Sequence, residues 1–428
     1  MQQFNMKQKE EYKETEIGLL PENWRLDNIV NYVDFQRGTE PGSDKYNKNG
    51  EGIRFLRVVD ISGSRDDKIY TTLDNVKRCQ EVDVLITFDG SPGIIKRGLK
   101  GAYSSGIRKV IIKDKEKIKL DFIYYVLQTN FVQEIIQKYS TGVTIKHASK
   151  SISHIKIPLP SHSEQKKIAN VLSTIQEVKE KTENVINSLK ELKKSMMKHL
   201  FTYGLVSLEE AENVKLKETE IGEVPEGWEV NNIGELYNVK QGKQISAKES
   251  KEGKIKKSFL RTSNLTWGKI NILKVDSMYF TKEKFEKLKL KKGDILTCEG
   301  GDIGRTAIYD DELEECAYQN HLHRLRPKTG DTNNLFFVYW MNYAANQRKL
   351  YVFDANRTTI PNLSGSRLKN FKIPKPELSE QQQISSILST IDSKIESEEN
   401  KKNTLEELFK SMLHNLMTAK IRINNLEI

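Results

Sequence analysis

The stretch that decides the fold is IPLPSHSEQKKIANVLSTI at residues 157–175, which returns as IPKPELSEQQQISSILSTI at residues 373–391. In each copy a short β-rich run with two prolines leads into a segment whose apolar residues recur every three or four positions. That spacing is typical of an amphipathic helix. We predict a strand followed directly by a long helix, with Ser163 and Ser379 as the helix N-caps.

The duplication extends over the whole chain. Residues 161–202 and 377–418 are identical at 20 of 42 aligned positions without a gap, and KETEIGLLPENW at residues 13–24 returns as KETEIGEVPEGW at residues 217–228. Shorter matches join FQRG to VKQG, LITFDG to ILTCEG and AYSSGIRKV to AYQNHLHRL. The repeat predicts a first globular domain at residues 1–160 and a helix at 161–206, then a second globular domain at 207–376 and a helix at 377–428.

The apolar stripe of each predicted helix follows a period near the 3.5 residues of a coiled coil. No proline or glycine interrupts either stripe, and we predict that each helix runs for about 33 residues and pairs antiparallel with the other. An alternative stays open, in which each helix packs on its own globular domain, because the stripe is polar near Thr182 and Glu398 and uneven at Lys401 and Lys402. The stripe consists of Ile168, Leu172, Ile175, Leu189, Leu192, Met196, Ile384, Leu388, Ile391, Leu405, Leu408 and Met412.

Composition favours a folded protein of the cytoplasm. The chain has 428 residues with a formal net charge of +10, 37% hydrophobic and 30% charged residues. Its start is charged, with no apolar run typical of a secretory signal. The three cysteines are too few for a disulfide framework or a four-cysteine zinc site. The basic surplus fits nucleic-acid binding, although charge alone does not decide it.

No sequence motif indicates catalysis. The phosphate-loop pattern G-x-x-x-x-G-K-[ST] and the [DN]-P-P-[YF] tetrapeptide of amino-methyltransferases are both missing from the sequence. The glycine-rich segments ending at Gly93 and Gly304 are interpreted as tight turns rather than cofactor loops. Cys316, His321 and His323 have no fourth ligand nearby in sequence, so no metal site is predicted. The aromatic segments 122–139 and 335–350 are interpreted as buried helices, with base stacking as the alternative.

Recognition residues are expected where the two copies share a frame but differ in polar side chains. Such side chains can read base edges, although each also fits a solvated turn. Basic side chains add candidate phosphate contacts, here Lys96, Arg97, Arg108 and Arg305. The candidates are Arg37, Lys96, Arg97, Ser104, Ser105, Arg108, Lys146 and His147 in the first copy, and Gln241, Lys243, Asn264, Arg305, Gln319, Asn320, His321, Arg357 and Thr358 in the second.

These motifs resemble the specificity subunits of type I restriction-modification enzymes. The resemblance rests on the E-T-E-I-G-x-x-P-E-x-W openings, the I-P-x-P-x-x-S-E-Q transitions and the two LST-I helices, and it covers nearly the whole chain. It implies an α+β fold: two pseudo-repeated mixed α/β target recognition domains separated by two long antiparallel α-helices that act as a coiled-coil spacer.

The resemblance also implies a function. Each recognition domain is expected to read one half of a bipartite, asymmetric DNA target. The chain itself is expected to be non-catalytic and to dock two modification subunits, which bind S-adenosylmethionine and methylate adenine N6. Restriction subunits that use ATP and Mg complete the endonuclease. Two rival hypotheses are a duplicated protein-binding scaffold without DNA specificity and a chain with its own methyltransferase or nuclease activity.

Overall fold

The computed structural model describes residues 11–65, 67–244, 252–350 and 362–423. The chain forms two compact units: residues 1–183 with 400–428, and residues 184–399. Each unit contains one globular domain and a portion of each long helix. Among the helices of these described ranges, none combines the length with the hydropathy that a membrane-spanning segment requires. The domain boundaries drawn from sequence stay predictions.

Short strands dominate both globular domains. The strands of the first are Tyr12–Thr15, Gly18–Pro21, Arg25–Asn28, Val33–Arg37, Tyr46–Asn47, Ile53–Leu56, Ile69–Thr71, Arg78–Cys79, Leu85–Thr87, Asp89–Gly90, Ile95–Lys96, Gly101–Tyr103, Ile107–Ile112, Lys146–His147 and Lys156–Leu159. Those of the second are Leu216–Thr219, Gly222–Pro225, Glu229–Asn232, Tyr237–Gln241, Ile255–Leu260, Asp276–Phe280, Ile295–Cys298, Thr306–Ile308, Cys316–Tyr318, Leu322–Pro327 and Lys372–Lys375.

The helices divide into short ones within the globular domains and two long ones. The short α-helices are Val58–Ser62, Leu120–Val126, Asn130–Lys138, Ile233–Leu236, Lys282–Leu288, Asn334–Asn346 and Gly365–Asn370. The first long helix is His162–Tyr203, with 42 residues, and the second long helix is Leu378–Met417, with 40 residues. Both are longer than the predicted run of about 33 residues, and both begin just before the S-E-Q motifs.

The strand pairing repeats between the two domains. Each has a four-stranded antiparallel sheet in which the strand ending at Arg37 or Gln241 pairs with the strand that contains Arg108 or His323. Each also has a parallel pair that places Phe55 opposite Ala102, or Phe259 opposite Ala317. The same strands pair in both domains, and equivalent residues lie opposite each other. The duplication predicted from sequence is therefore confirmed in three dimensions.

The aromatic segments are buried, as predicted. Trp340 and Phe337 of the second domain are each 1% exposed and pack in a core with Phe201 from the first long helix. The equivalent segment of the first domain buries Phe122. It forms two helices, Leu120–Val126 and Asn130–Lys138, rather than one, with Thr129 in an extended conformation between them.

The S-E-Q motif attaches each long helix to its own globular domain. Glu164 accepts a hydrogen bond from the indole of Trp24 at 3.3 Å, and Glu380 accepts one from Trp228 at 3.0 Å. Gln165 and Gln381 follow in the sequence and bond to backbone groups of the adjacent loops. The tryptophan and glutamate of the two repeated motifs are therefore partners.

The predicted N-caps are wrong. Ser163 and Ser379 lie inside the first turn, since the long helices begin at His162 and Leu378. Ser161 forms a capping box instead: its hydroxyl accepts from Glu164 N, and Glu164 Oε2 accepts from Ser161 N, both at 3.3 Å. The S-x-x-E spacing needed for this box was already present in the sequence at Ser161.

The two long helices run antiparallel within each unit, as predicted. In the second unit Lys190 bonds to Glu399 at 2.8 Å and Lys193 to Asp392 at 2.6 Å, so residue numbers fall on one helix as they rise on the other. In the first unit Lys402 pairs with Glu183. Lys402, which makes the stripe uneven, therefore contributes an ion pair to the antiparallel contact.

The predicted stripe varies in burial. Ile168, Leu172, Ile384 and Leu388 are at most 1% exposed and join the cores of the globular domains, so each helix packs on a globular domain as well as on the other helix. Ile175, Leu189, Met196, Ile391, Leu405 and Met412 are half-buried. Leu192 and Leu408, at equivalent positions of the repeat, are 46% and 44% exposed, which contradicts a place in a closed seam. Met197 and Leu413, also at equivalent positions of the repeat and next to the stripe residues Met196 and Met412, are buried instead.

Candidate nucleic-acid interface

Two equivalent glycines hold the frame of the candidate site in each domain. A Cβ at Gly38 would lie 2.1 Å from Ser104 O, and a Cβ at Gly242 would lie 2.2 Å from Gln319 O. Such distances are far inside van der Waals contact, so only glycine allows the two backbone segments to approach this closely. Because the two backbone segments lie so close, the residues on either side of each glycine lie next to the AYSS turn in the first domain or the AYQN turn in the second.

In the first domain five polar residues form one connected network. Arg37 Nε donates to Ser105 O at 3.3 Å, and Arg108 also donates to this carbonyl. Arg108 lies 3.4 Å from Asp89 Oδ2, and His147 Nδ1 lies 2.8 Å from Asp89 Oδ1. We name Arg37, Ser105, Arg108, Asp89 and His147 the Asp89 cluster. It unites four of the candidates chosen from sequence.

The second domain repeats this geometry with different side chains. Gln241 Nε2 donates to Asn320 O and to Glu299 Oε2, both at 3.0 Å. His323 lies 3.6 Å from Glu299 Oε2 and donates to Leu363 O, with Nε2 and O 3.2 Å apart. We name Gln241, Asn320, Glu299 and His323 the Glu299 cluster. Position by position, Arg37 becomes Gln241, Asp89 becomes Glu299 and Arg108 becomes His323.

The two clusters differ in charge. Burial lowers the pKa of Arg108 below its ordinary value, while the nearby Asp89 opposes that shift. Burial likewise lowers the pKa of His323, whose side chain is fully buried, and Glu299 opposes it. Because the ordinary pKa of histidine is about 6.5, His323 is neutral at pH 7. The first cluster therefore contains a second cation, Arg108 beside Arg37, while the second has no fixed cation among the residues that define it.

Several sequence candidates are held by contacts inside the protein. Arg97 pairs with Asp121 at 2.7 Å and lies over the ring of Tyr124. Lys243 is 3% exposed and donates to Tyr279 O at 2.6 Å. Asn264 is 5% exposed, and its amide donates to two backbone carbonyls. Arg305 contacts Asp302 and donates to Thr262 O.

The remaining candidates lie at or near the surface. Lys96, Lys146 and His321 are exposed, Gln319 is half-buried, and Ser104 is 6% exposed. Arg357 and Thr358 lie outside the described residues. Asp89, Glu299 and His323 were missed. The two acids fall outside a search for changed polar side chains and basic phosphate contacts, and His323 was considered only as a metal ligand. The signal was the acid shared by LITFDG and ILTCEG at a turn in both copies.

Neither metal binding nor thiol chemistry is indicated by this geometry. In the described ranges no three His, Cys, Asp or Glu side chains are placed to share a metal ion. Burial raises the pKa of Cys316 to about 12 and that of Cys298 to about 11, so both remain thiols at neutral pH. The chemistry of both clusters is that of hydrogen bonding and charge, which suits recognition.

Comparison with known proteins identifies the family. The model of the type I restriction modification DNA specificity domain matches residues 21–191 and again residues 225–407. The chain belongs to this family. Two DNA specificity domains in tandem confirm the predicted membership and fold, and they make DNA and other restriction-modification subunits the expected partners.

Relatives support the assignment along the whole chain. The type I restriction enzyme MjaVIII specificity subunit of Methanocaldococcus jannaschii is 29% identical over 444 residues, covering 97% of both chains. The EcoBI specificity subunit of Escherichia coli is 21% identical and covers 89% of this chain and 82% of its own. The crystal structure of an S subunit from M. genitalium shares the fold, with a TM-score of 0.58 at 20% identity, over 92% of this chain and 96% of that one.

Proposed function

We propose that this DNA specificity chain reads a bipartite, asymmetric DNA sequence, with one globular domain on each half-site. The observation that carries the proposal is the pair of equivalent clusters, which keep one backbone frame and differ in side chains. Arg37 suits a guanine edge, because a guanidinium bonds bidentately to that base. Gln241 suits an adenine edge once its amide exchanges one of its two present acceptors for the base, because an amide bonds bidentately to adenine. An asymmetric target has two different half-sites, so it requires two domains with the same backbone geometry but different hydrogen-bond donors.

Exchange of one domain tests this assignment. Residues 207–376 are replaced by the corresponding segment of a relative with another specificity, and the DNA target of the assembled complex is determined before and after. We expect one half of the target to change while the other half and the gap stay the same. The reciprocal exchange of residues 1–160 is the matched control and is expected to change the other half. A change in both halves after one exchange would contradict the proposal.

We further propose that the two long helices form a spacer between the domains and dock two modification subunits. Antiparallel ion pairs in each unit support the spacer, because a paired helix resists bending more than a single one. Leu192 and Leu408 support the docking, since two exposed leucines at equivalent positions of the repeat suit two copies of one partner. In this assembly the modification subunits bind S-adenosylmethionine and methylate adenine N6, and restriction subunits use ATP and Mg.

Paired substitutions test the docking. L192E and L408E place a charge on each exposed leucine and are expected to abolish capture of the modification subunit when combined, with partial loss for each alone. Leu273, which is 93% exposed and lies in the second globular domain, provides the matched control L273E. Equal binding by the double variant and the control in sedimentation experiments would contradict the docking site.

A further inference from the structure

A short hairpin beside the Asp89 cluster is closed by its own backbone. Thr141 and His147 close it by exchanging backbone hydrogen bonds, with N–O distances of 3.0 and 2.7 Å. Gly142 has a φ of +102°, and a Cβ there would lie 2.1 Å from Ile145 O. We name residues 141–147 the recognition hairpin. Its tip is shaped by the backbone rather than by packing of side chains.

The tip exposes apolar side chains to solvent. Val143 is fully exposed and Ile145 is 57% exposed. Two β-branched apolar residues on one closed turn are costly to leave in water, since burying such a side chain is worth roughly 1.5–3 kcal/mol. Because the backbone already fixes the turn, these side chains add nothing evident to its folding. Their exposure points to a partner.

The base of the hairpin is part of the candidate DNA site. Its strand Lys146–His147 pairs with Asp89–Gly90, and His147 bonds directly to Asp89 within the Asp89 cluster. The tip therefore projects from the same region of the first globular domain as Arg37 and Arg108. Any DNA that reaches the Asp89 cluster also comes within reach of the hairpin.

Charge on the flanks favours a nucleic acid over a protein partner. No aspartate or glutamate occurs between Glu134 and Glu164, while the same stretch contains Lys138, Lys146 and Lys150. Lys146, in the hairpin itself, and Lys150, three residues after it, are both exposed. An exposed apolar tip with basic side chains nearby matches a DNA groove, where apolar base edges such as the thymine methyl lie between two rows of phosphates.

We propose that Val143 and Ile145 enter a groove of the half-site read by the first domain and determine specificity through apolar contacts with base edges. Lys146 and Lys150 contact the flanking phosphates. This inference rests on the proposed function and deepens it, because it assigns base reading and phosphate binding to different side chains of one hairpin. Residues 356–361 of the equivalent segment in the second domain lie outside the described residues.

Salt dependence separates the two roles. The chain assembled with its modification subunits first selects a duplex from a random-sequence library. Binding to that duplex and to a scrambled duplex is then measured from low to physiological salt for V143S/I145S and for the matched control K146Q/K150Q. All four substitutions are at exposed positions, so melting temperatures are expected to match that of the unchanged chain.

We expect V143S/I145S to weaken binding to the selected duplex by about tenfold or more, with the scrambled duplex and the salt slope unchanged. We expect K146Q/K150Q to weaken binding to both duplexes and to reduce the slope by about two. Equal loss on both duplexes in V143S/I145S, no loss, or loss of subunit assembly would overturn the hairpin's role. Selection of no preferred duplex by the unchanged complex would overturn the proposed function as well.

Discussion

Arg422 and Glu164 form a buried ion pair that connects the end of the described chain to the first long helix. Arg422 Nη2 lies 2.7 Å from Glu164 Oε1, with side chains 6% and 3% exposed. Substitution R422M leaves the Glu164 carboxylate buried without this partner, a change that typically costs about 3–5 kcal/mol. Glu164 still accepts from Trp24 and Ser161, so we expect the lower end, about 3 kcal/mol.

Hydrogen exchange provides the assay, because it reports on each unit of the chain separately. A loss of about 3 kcal/mol accelerates exchange by roughly two orders of magnitude in peptides around Glu164, while peptides around Glu380 in the second unit stay unchanged. The control K190M removes an exposed ion pair with Glu399 and is expected to cost less than about 1 kcal/mol.

A double variant tests the cause. In E164Q/R422M the uncompensated charge is gone while the amide oxygen still accepts from Trp24, so most of the protection is expected to return. If R422M accelerated hydrogen exchange no more than K190M does, the buried ion pair would contribute no more to the free energy of unfolding than a surface pair. If E164Q/R422M were no better than R422M, loss of packing rather than charge would explain the effect. Either result would refute the electrostatic argument.

Three further predictions follow from the fold and the clusters. G38A places a methyl group 2.1 Å from Ser104 O and is expected to cost at least about 1–3 kcal/mol in urea unfolding, against a neutral effect for the open Gly227. Burial lowers the pKa of His323 in the folded chain, so at low pH the unfolded chain binds more protons than the folded chain. The free energy of unfolding of the second unit should therefore fall as the pH falls below about 6.5, and H323Q should remove that dependence. Insertion of seven residues into both long helices adds about 10 Å, so the unread gap of the DNA target should grow by about three base pairs, whereas an unchanged gap would exclude the helices as its ruler.

The sequence predicted the large-scale organisation well because its signals are local or repeated. Apolar spacing alone indicated the two long helices, and direct comparison of the two halves indicated equivalent domains. Its errors lie at element ends: Ser163 was chosen as N-cap although Ser161 has the glutamate three residues later that a capping box requires. Leu192 and Leu408 fit the heptad period, yet they are exposed, whereas Met197 and Leu413 are buried.

The candidate site was predicted only in part. A position that differs between the two copies shows that its side chain varies, but it does not show whether that side chain faces solvent or the interior. Arg37 and Gln241 were chosen for their polar change, Arg108 as a candidate phosphate contact, and all three belong to the clusters. Lys243 and Asn264 were chosen by the same rule, but their side chains bond to backbone carbonyls in the interior. Nothing in a one-dimensional alignment distinguishes a polar residue that faces solvent from one that caps a loop.

The order of residues by itself determined that one unit is used twice, that apolar stripes make two long helices, and that the chain is a DNA specificity subunit. These properties follow from periodicity and motif identity, which need no knowledge of contacts across the fold. Tertiary structure alone decided that Asp89 and Glu299 organise the two clusters and that Val143 stands exposed beside one of them. The physical reason is that hydrogen bonding and burial depend on groups that lie tens of residues apart in sequence, which only the folded backbone brings together.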